Sequence, residues 1–182
     1  MSYHAPASVS EAVEILKSKD NARPLAGGTD LLVQMRSGRL KPAAIVDIKQ
    51  IDRAVGIHLR DGGYVIGAAT PCTDLLTNAG LCEAWPGVVE SANLIGSVQV
   101  RNRATMGGNL CNASPAADSV PALIAAGAVC VVVGPEGERQ VPVEELPAAP
   151  GRLNLGKGEF VLEIILPARA SGRVADIDRV AI

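Results

Sequence analysis

The chain has 182 residues, of which 48% are hydrophobic and 20% are charged, and its formal net charge is −2. This apolar content is enough to build a core, so a globally disordered chain is excluded. Only four residues are aromatic, namely Tyr3, Tyr64, Trp85 and Phe160, and the basic residues form no cluster. These features argue against nucleic-acid binding, both through phosphate neutralisation and through bases stacked on aromatic side chains.

The start of the chain and its cysteines bear on the cellular compartment. The first residues do not combine a basic segment with an apolar stretch, so no secretory signal is visible. The longest uncharged run begins at Ser119 and is too short and too interrupted by proline and glycine to span a bilayer. The cysteines form no C-x-x-C pair, which favours reduced, mostly buried thiols over a metal or iron–sulfur site. We therefore expect a cytoplasmic protein with no membrane span.

Residues 1–55 predict a small α/β unit. Ser8 and Glu11 form a capping box that opens an amphipathic helix. The pattern then predicts a strand over 24–26, a helix over 31–36 with Thr29 and Asp30 as candidate caps, and a buried strand near 44–48. This alternation of helices and strands is typical of an α/β arrangement.

Residues 56–170 predict a larger α+β unit with mostly antiparallel pairing. A hairpin is expected over 56–68, because a glycine-bearing turn separates two strand-like runs. Thr70 and Pro71 are typical of a helix start. Further predicted elements are an interrupted helical stretch over 85–104, a glycine-bearing turn over 105–109, a helix over 118–126, and strands over 128–133, 139–143 and 160–166. Residues 171–182 are expected to begin a C-terminal region.

The segment 151–158 comes close to the phosphate-binding P-loop motif. That motif requires Ser or Thr after its lysine to hold magnesium, and here Lys157 is followed by Gly158. Two prolines precede the segment and a strand follows it, whereas a P-loop joins a strand to a helix. We interpret 151–158 as a surface loop.

Two other segments carry glycine pairs beside hydroxyl and amide side chains. We name residues 26–30 the first glycine loop and residues 105–109 the second glycine loop. Glycine lets backbone N–H groups approach a phosphate closely, and the start of a helix favours negative charge. No G-x-G-x-x-G motif occurs, so the Rossmann fingerprint is absent. For a single glycine pair, a tight turn with positive φ is the favoured explanation; for the two pairs together, spacing alone leaves both interpretations open.

Two sequence segments resemble the FAD signatures of a known family. They are A-G-G-T-D-L-L at 26–32 and V-R-N-R-A-T-M-G-G-N-L-C-N-A-S-P-A-A-D-S at 100–119. The similarity is to the flavin-carrying medium subunit of the molybdenum hydroxylases, which include xanthine dehydrogenase and aerobic carbon monoxide dehydrogenase. The similarity continues through P-A-L-I-A-A-G-A-V at 121–129 and E-I-I-L-P at 163–167, so that it covers nearly the whole chain. The resemblance implies a two-part FAD-binding fold of the α+β class, in which a small α/β unit packs on a larger α+β unit.

The resemblance also implies the cofactor-binding residues. The two glycine loops would wrap the pyrophosphate, Asp118 would bond the ribose or adenine end, and three residues would lie near the isoalloxazine ring. Of those three, Ile95 and Val161 are equally explained by core packing. The predicted cofactor-binding residues are Ala26, Gly27, Gly28, Thr29, Asp30, Ile95, Gly96, Thr105, Met106, Gly107, Gly108, Asn109, Asp118 and Val161. No catalytic residue or metal ligand is predicted.

Two arginines precede the second glycine loop. Arg101 and Arg103 could offset phosphate charge, or they could form fixed hydrogen bonds to the backbone.

The implied activity is that of an oxidoreductase subunit. FAD on this chain would collect electrons from an iron–sulfur small subunit and pass them to NAD, oxygen or a quinone-type acceptor, while a molybdenum-cofactor large subunit oxidises the substrate. The molybdenum cofactor and the iron–sulfur clusters are expected only on these partner chains. Two alternatives stay open: a self-sufficient flavoenzyme of the wider FAD-binding superfamily, and a non-catalytic, truncated docking subunit.

The sequence departs from the family near its C-terminal end. Medium subunits usually continue well beyond this length, and the segment after Pro167 lacks the usual strand with aromatic and basic residues. With so few aromatic residues, the chain offers little to cover a flavin ring. We therefore expect an exposed or weakly held flavin.

Overall fold

The N-terminal part of the chain forms a three-stranded parallel sheet. The computed structural model describes residues 1–169. The sheet has the order β1-β3-β2, with both pairings parallel. Its strands and connecting helices are β1 (Ser2–His4), α1 (Val9–Ser18), β2 (Ala22–Leu25), α2 (Leu31–Arg36) and β3 (Ala44–Asp47). The predicted helices and strands of this part are confirmed.

Helix α1 begins where the capping box predicts. The Ser8 hydroxyl accepts a hydrogen bond from the Glu11 N–H at 3.2 Å, and the Glu11 carboxylate accepts one from the Ala7 N–H at 3.3 Å. These bonds satisfy donors that have no partner in the first helical turn. The buried face of the helix carries Ala12, Val13 and Leu16.

The second part of the chain builds a five-stranded antiparallel sheet. Its order is β4-β5-β10-β6-β7, and a separate two-stranded hairpin is formed by β8 and β9. The strands are β4 (Ile57–Arg60), β5 (Gly63–Gly67), β6 (Val129–Gly134), β7 (Gly137–Pro142), β8 (Pro147–Ala149), β9 (Arg152–Leu153) and β10 (Phe160–Leu166). The predicted α+β class with mostly antiparallel pairing is confirmed.

Short helices fill the chain between β5 and β6. They are α3 (Cys72–Thr77), α4 (Ala79–Ala84), α5 (Pro86–Leu94), α6 (Val98–Arg101), α7 (Met106–Cys111) and α8 (Val120–Ala125). Single 3₁₀ turns occur at Ile48–Gln50, Asp52–Ala54 and Val143–Glu145.

Two predictions about helix starts are wrong. The segment 105–109, expected as a turn, is the start of α7, because the Thr105 hydroxyl caps it. Thr70 does not cap α3: its hydroxyl accepts from the Gly56 N–H at 2.9 Å and donates to the Gly56 carbonyl at 3.0 Å. Pro71 occupies the N-cap position instead.

Two hydrophobic clusters lie on opposite faces of the antiparallel sheet, and β10 contributes to both. One cluster packs the helices of the second part against the sheet, and the other packs α1 and the parallel sheet against it. The register of β10 against β6 shifts between Val161 and Glu163, which marks a β-bulge. Phe160 and Leu162 therefore face the α1 cluster, whereas Ile164 and Leu166 face the helical cluster. The bulge changes the face that the strand presents.

An ion-pair network fixes the turn Asp52–Ala54 to the sheet. Arg53 donates to both carboxylate oxygens of Glu163, from Nε at 2.9 Å and from Nη2 at 2.7 Å. It also donates from Nη1 to Glu138 at 2.8 Å. Glu163 is only 4% exposed, so Arg53 balances a charge that lies inside the protein.

No helix among residues 1–169 is long and apolar enough to cross a membrane. The prediction that residues 171–182 begin a C-terminal region lies outside the described residues.

Candidate functional site

A cavity of about 850 Å³ lies between the N-terminal part of the chain and the antiparallel part. Its walls come from three stretches: 19–31, 104–112 and 151–161. Small-molecule sites have volumes of roughly 300–1,000 Å³, so this cavity is large enough for an extended ligand. Both glycine loops lie in its walls.

The first glycine loop leaves the carboxyl end of β2, at the edge where ligands bind to parallel α/β sheets. Gly28 has a φ of +79°, a left-handed conformation that favours glycine. The N–H groups of Gly27, Gly28 and Thr29 donate to no acceptor among residues 1–169. Asp30 occupies the N-cap position of α2, but its side chain makes no capping hydrogen bond. The loop thus presents several backbone donors on the cavity wall.

The second glycine loop forms the first turn of α7. The Thr105 hydroxyl accepts from the Gly108 N–H at 2.9 Å and closes the turn. Gly107 is buried against Ala68, and a Cβ on it would lie 2.5 Å from the Ala68 carbonyl oxygen. A Cβ on Gly108 would meet only the Thr105 hydroxyl, at 2.9 Å. Gly107 therefore serves packing, while Gly108 keeps the cavity wall free of side-chain atoms.

The first glycine loop packs against Arg103 and Ala104, the two residues that lead into the second glycine loop. A Cβ on Gly27 would overlap the Arg103 carbonyl oxygen and would lie 3.1 Å from the Ala104 Cα. The absence of this carbon lets the two backbones approach and face the same cavity. In the second glycine loop, the N–H groups of Gly108 and Asn109 already donate to Thr105. The N–H groups of Gly27, Gly28 and Thr29 have no acceptor among residues 1–169, and such closely spaced donors suit a phosphate. The residues present therefore fit the phosphate part of a dinucleotide.

A polar network centred on the buried Asp47 supports the first glycine loop from behind. Lys49 Nζ donates to the Ala26 carbonyl at 2.9 Å and lies 2.7 Å from Asp47 Oδ1. The Tyr3 hydroxyl donates to Asp47 Oδ2 at 2.6 Å. Burial opposes ionisation of Asp47, but the hydrogen bonds from Lys49 and Tyr3 outweigh it and hold its pKa below the usual value. The carboxylate thus stays ionised and holds the Lys49 ammonium in place.

Most of the predicted cofactor-binding residues line this cavity. Ile95 and Val161 are buried at its wall, so they combine packing with access to the cavity. Three predicted residues do not line it. Met106 is 1% exposed within the core, whereas Gly96 and Asp118 lie at the surface.

Arg101 makes a structural hydrogen bond to the backbone. Its Nη1 donates to the Gly96 carbonyl at 2.8 Å and more weakly to the Ile95 carbonyl at 3.4 Å. This contact matches the structural interpretation of Arg101 and fixes the turn that follows α5. The Arg103 backbone contacts Gly27, as described above.

Residues 151–158 are not a P-loop, but they are more than a surface loop. Arg152 and Leu153 form β9, and no helix follows them before β10. The segment forms one wall of the cavity. Its Lys157 Nζ lies 2.5 Å from Oδ1 of Asp20, which also lines the cavity. The position of this wall depends on the pairing of β8 with β9, which gave no signal at the sequence level.

Three amide side chains link the elements around the cavity. Gln34 in α2 donates to Asn112 at the end of α7 at 3.0 Å. Asn109 Oδ1 accepts from the hydroxyl of Ser119 at 2.8 Å and from its N–H at 3.2 Å. These bonds hold both helices whose first turns carry the glycine loops.

Of the four aromatic residues, only Phe160 lines the cavity, and its side chain is 1% exposed. Trp85 is buried in the helical cluster, and Tyr3 is largely exposed. The exposed or weakly held flavin remains a prediction.

The cysteines of this chain are free thiols. Cys72 and Cys130 are buried, and Cys82 and Cys111 are half-buried. Burial raises the pKa of Cys72 to about 11 and that of Cys111 and Cys130 to about 12. No group of three or more His, Cys, Asp or Glu side chains among residues 1–169 could hold a metal ion.

The chain shows clear similarity to known proteins. It is 33% identical over 174 residues to the xanthine dehydrogenase FAD-binding subunit of Escherichia coli O157:H7, covering 95% of this chain and 60% of that protein. It is 37% identical over 171 residues to the carbon monoxide dehydrogenase medium chain of Hydrogenophaga pseudoflava, covering 93% of this chain and 60% of that protein. The chain thus spans about 60% of the length of these relatives.

Solved structures agree with the sequence comparison. Carbon monoxide dehydrogenase from Hydrogenophaga pseudoflava superposes with a TM-score of 0.90 at 37% identity, covering 94% of this chain and 60% of that one. Quinoline 2-oxidoreductase from Pseudomonas putida 86 superposes with a TM-score of 0.88 at 26% identity, covering 93% of this chain and 60% of that one. The family model described as the FAD binding domain in molybdopterin dehydrogenase matches residues 1–169. The chain therefore belongs to the family of FAD-binding domains of molybdopterin dehydrogenases.

Proposed function

We propose that this chain is the FAD-binding, electron-transfer part of a cytoplasmic, multi-subunit molybdenum hydroxylase or dehydrogenase. It takes electrons from an iron–sulfur small subunit and passes them through FAD to NAD or another acceptor, while a molybdenum-cofactor large subunit oxidises the substrate. The observation that carries this proposal is that both glycine loops line one cavity, with Gly27 packed against the Arg103 backbone just before the second loop. The FAD-binding subunits and medium chains among its relatives support it.

The two glycine loops would hold the diphosphate through their backbone N–H groups. Asp118 would bond the ribose or adenine end, and Ile95, Gly96 and Val161 would lie near the ring. When bound, FAD supplies the redox chemistry, so the protein needs no nucleophile and no acid–base pair of its own. Residues 1–55 and 56–170 would then act as the two halves of the binding fold. Their side chains position the cofactor and exclude water from the buried wall at Ile95 and Val161.

The proposal is tested by adding FAD to the purified chain and measuring bound flavin. We expect a yellow protein that releases its flavin on denaturation. A colourless protein that takes up no added FAD would overturn the proposal. Turnover of a substrate by the isolated chain would instead indicate a self-sufficient flavoenzyme.

The partner assignment needs a second experiment. The tagged chain is captured from the cells that produce it naturally, and the proteins that elute with it are identified by mass spectrometry. We expect a molybdenum-cofactor subunit and an iron–sulfur subunit to elute with it, together with FAD. Retention of partners with no flavin in the complex would indicate a docking subunit.

A further inference from the structure

Lys49 holds the peptide group that enters the first glycine loop. Its ammonium donates to the Ala26 carbonyl at 2.9 Å and lies 2.7 Å from Asp47 Oδ1. The register of the parallel sheet sets this contact, because Leu25 at the end of β2 pairs with Asp47 at the end of β3. Asp47 also accepts the backbone N–H of Lys49 at 3.1 Å, which fixes the turn that carries the lysine.

The Ala26–Gly27 peptide presents its two polar groups in opposite directions. No peptide bond among residues 1–169 is cis, so the Ala26 carbonyl and the Gly27 N–H point to opposite sides. Lys49 occupies the carbonyl side. The Gly27 N–H, which has no acceptor among residues 1–169, lies on the other side, and Gly27 lines the cavity.

A cation bound to a carbonyl strengthens the N–H of the same peptide. The ammonium draws electron density toward the oxygen, and the amide proton becomes a stronger donor, as in any cooperative hydrogen-bond chain. The ammonium is held by an ionised carboxylate whose other oxygen accepts from Tyr3 at 2.6 Å. The network therefore fixes the orientation of the Gly27 N–H in the protein without ligand.

We propose that Lys49 is a positioning residue for the diphosphate: it fixes and polarises the Ala26–Gly27 peptide so that the Gly27 N–H donates to a phosphate oxygen. This inference rests on the proposed function, because it assumes that the cavity binds a dinucleotide phosphate. Lys49 itself lies on the far side of the peptide and does not touch the ligand. Its effect is confined to ligands that carry phosphate groups.

Affinity measurements on the apo-protein test this role. Dissociation constants are measured for FAD, and for ADP and adenosine by competition, with the wild type, Lys49→Met, Lys49→Arg and Tyr3→Phe. We expect Lys49→Met to lower the affinity for FAD and ADP by about tenfold, the range of one charge-assisted hydrogen bond, and to leave the affinity for adenosine unchanged. Lys49→Arg should restore most of the affinity, since a guanidinium can donate to both oxygens. Tyr3→Phe is the matched control, because it removes a hydrogen bond to the same carboxylate without touching Ala26.

A second measurement needs no ligand. In proton–nitrogen correlation spectra of the free protein, we expect the Gly27 amide proton to move upfield in Lys49→Met and to stay near its wild-type position in Lys49→Arg. If Lys49→Met does not fold, Lys49→Gln takes its place, with a smaller upfield shift and a smaller loss of FAD affinity. An unshifted Gly27 amide would overturn the inference.

The outcomes separate this inference from the proposed function. A wild type that binds no FAD would overturn both. A wild type that binds FAD, with Lys49→Met binding FAD equally well, would overturn only the role of Lys49. An equal loss of affinity for adenosine and ADP would also overturn it, because that result indicates a general structural defect.

Discussion

Gly27 packs directly on the Arg103 carbonyl, and this contact places the first glycine loop against the residues that lead into the second. The loops are far apart in sequence: the first follows β2 of the parallel sheet, and the second begins helix α7. The space for a Cβ at Gly27 is filled by backbone atoms of Arg103 and Ala104, which cannot move aside as a flexible side chain can. The geometry of the cavity therefore depends on one missing methyl group.

Gly27→Ala should separate the two loops. We expect a loss of at least about 2 kcal/mol in the free energy of unfolding, as is typical of overpacking, together with loss of FAD binding. Gly156→Ala is the matched control, because Gly156 also lines the cavity and its Cβ would lie 3.4 Å from the nearest atom. That variant should change stability by less than about 0.5 kcal/mol. Urea titration compares both with the wild type, and equal midpoints for all three proteins would refute the packing argument.

Gly108 should control ligand binding more than stability. Its Cβ would meet only the Thr105 hydroxyl, so the fold tolerates alanine or valine at the cost of a weakened helix cap, about 1 kcal/mol. We expect FAD affinity to fall about tenfold in Gly108→Ala and about a hundredfold in Gly108→Val, since each phosphate bond that is lost costs about 1.5–3 kcal/mol. Fluorescence titration with FAD measures the series. Unchanged affinity in Gly108→Val would show that the phosphate lies elsewhere.

Arg53 should stabilise the fold mainly through its ion pair with Glu163 and much less through its ion pair with Glu138. Arg53→Met leaves the Glu163 carboxylate without its cation inside the protein, and we expect a loss of about 2–3 kcal/mol. Glu138→Gln weakens a half-exposed ion pair and should cost no more than about 1 kcal/mol. Thermal or urea unfolding of the two variants gives the comparison. Similar losses in both would contradict the assignment of the buried charge.

The thiols with raised pKa should be unreactive in the folded protein. With pKa values of about 11 for Cys72 and about 12 for Cys111 and Cys130, these groups stay protonated at pH 8. The thiolate is the reactive form, so we expect iodoacetamide to label them slowly in buffer and rapidly in urea. Peptide mass spectrometry resolves each site. Fast labelling of Cys130 under native conditions would show that burial does not protect it.

Local signals predicted much of the fold. The capping box at Ser8, the hairpin over 56–68 and the last strand at 160–166 each depend on residues close in sequence. Such patterns act through neighbouring backbone groups, so a short window contains the information. The same windows could not show that α1 packs on the antiparallel sheet, because that contact joins distant segments.

The errors in the predicted helices have long-range causes. Two adjacent glycines disfavour a helix, yet α7 forms because Thr105 caps it and Gly107 fits against Ala68. Thr70 is an ordinary helix cap by its type, but its hydroxyl pairs with Gly56 instead. In both cases tertiary contacts override the local preference.

The candidate site was predicted in part. The two glycine loops stand out in the sequence through their composition and their family resemblance. Lys49 could not be recognised from the sequence, because its contact with Ala26 exists only when β2 and β3 pair in parallel register. Asp47 at the end of a buried strand was an available signal, since a carboxylate there needs a partner.

Strand β10, with its bulge, couples the unfolding of the two hydrophobic clusters. This strand supplies apolar side chains to both clusters: Phe160 and Leu162 lie in the α1 cluster, and Val161, Ile164 and Leu166 lie in the helical cluster. Neither cluster can open without removing that strand from the other, so the molecule should unfold in a single cooperative transition. The cavity lies between the two parts, and Val161 beside the bulge is in its wall. Separation of the two parts at β10 should therefore require nearly the free energy of global unfolding, whereas the loops in the cavity wall can open locally.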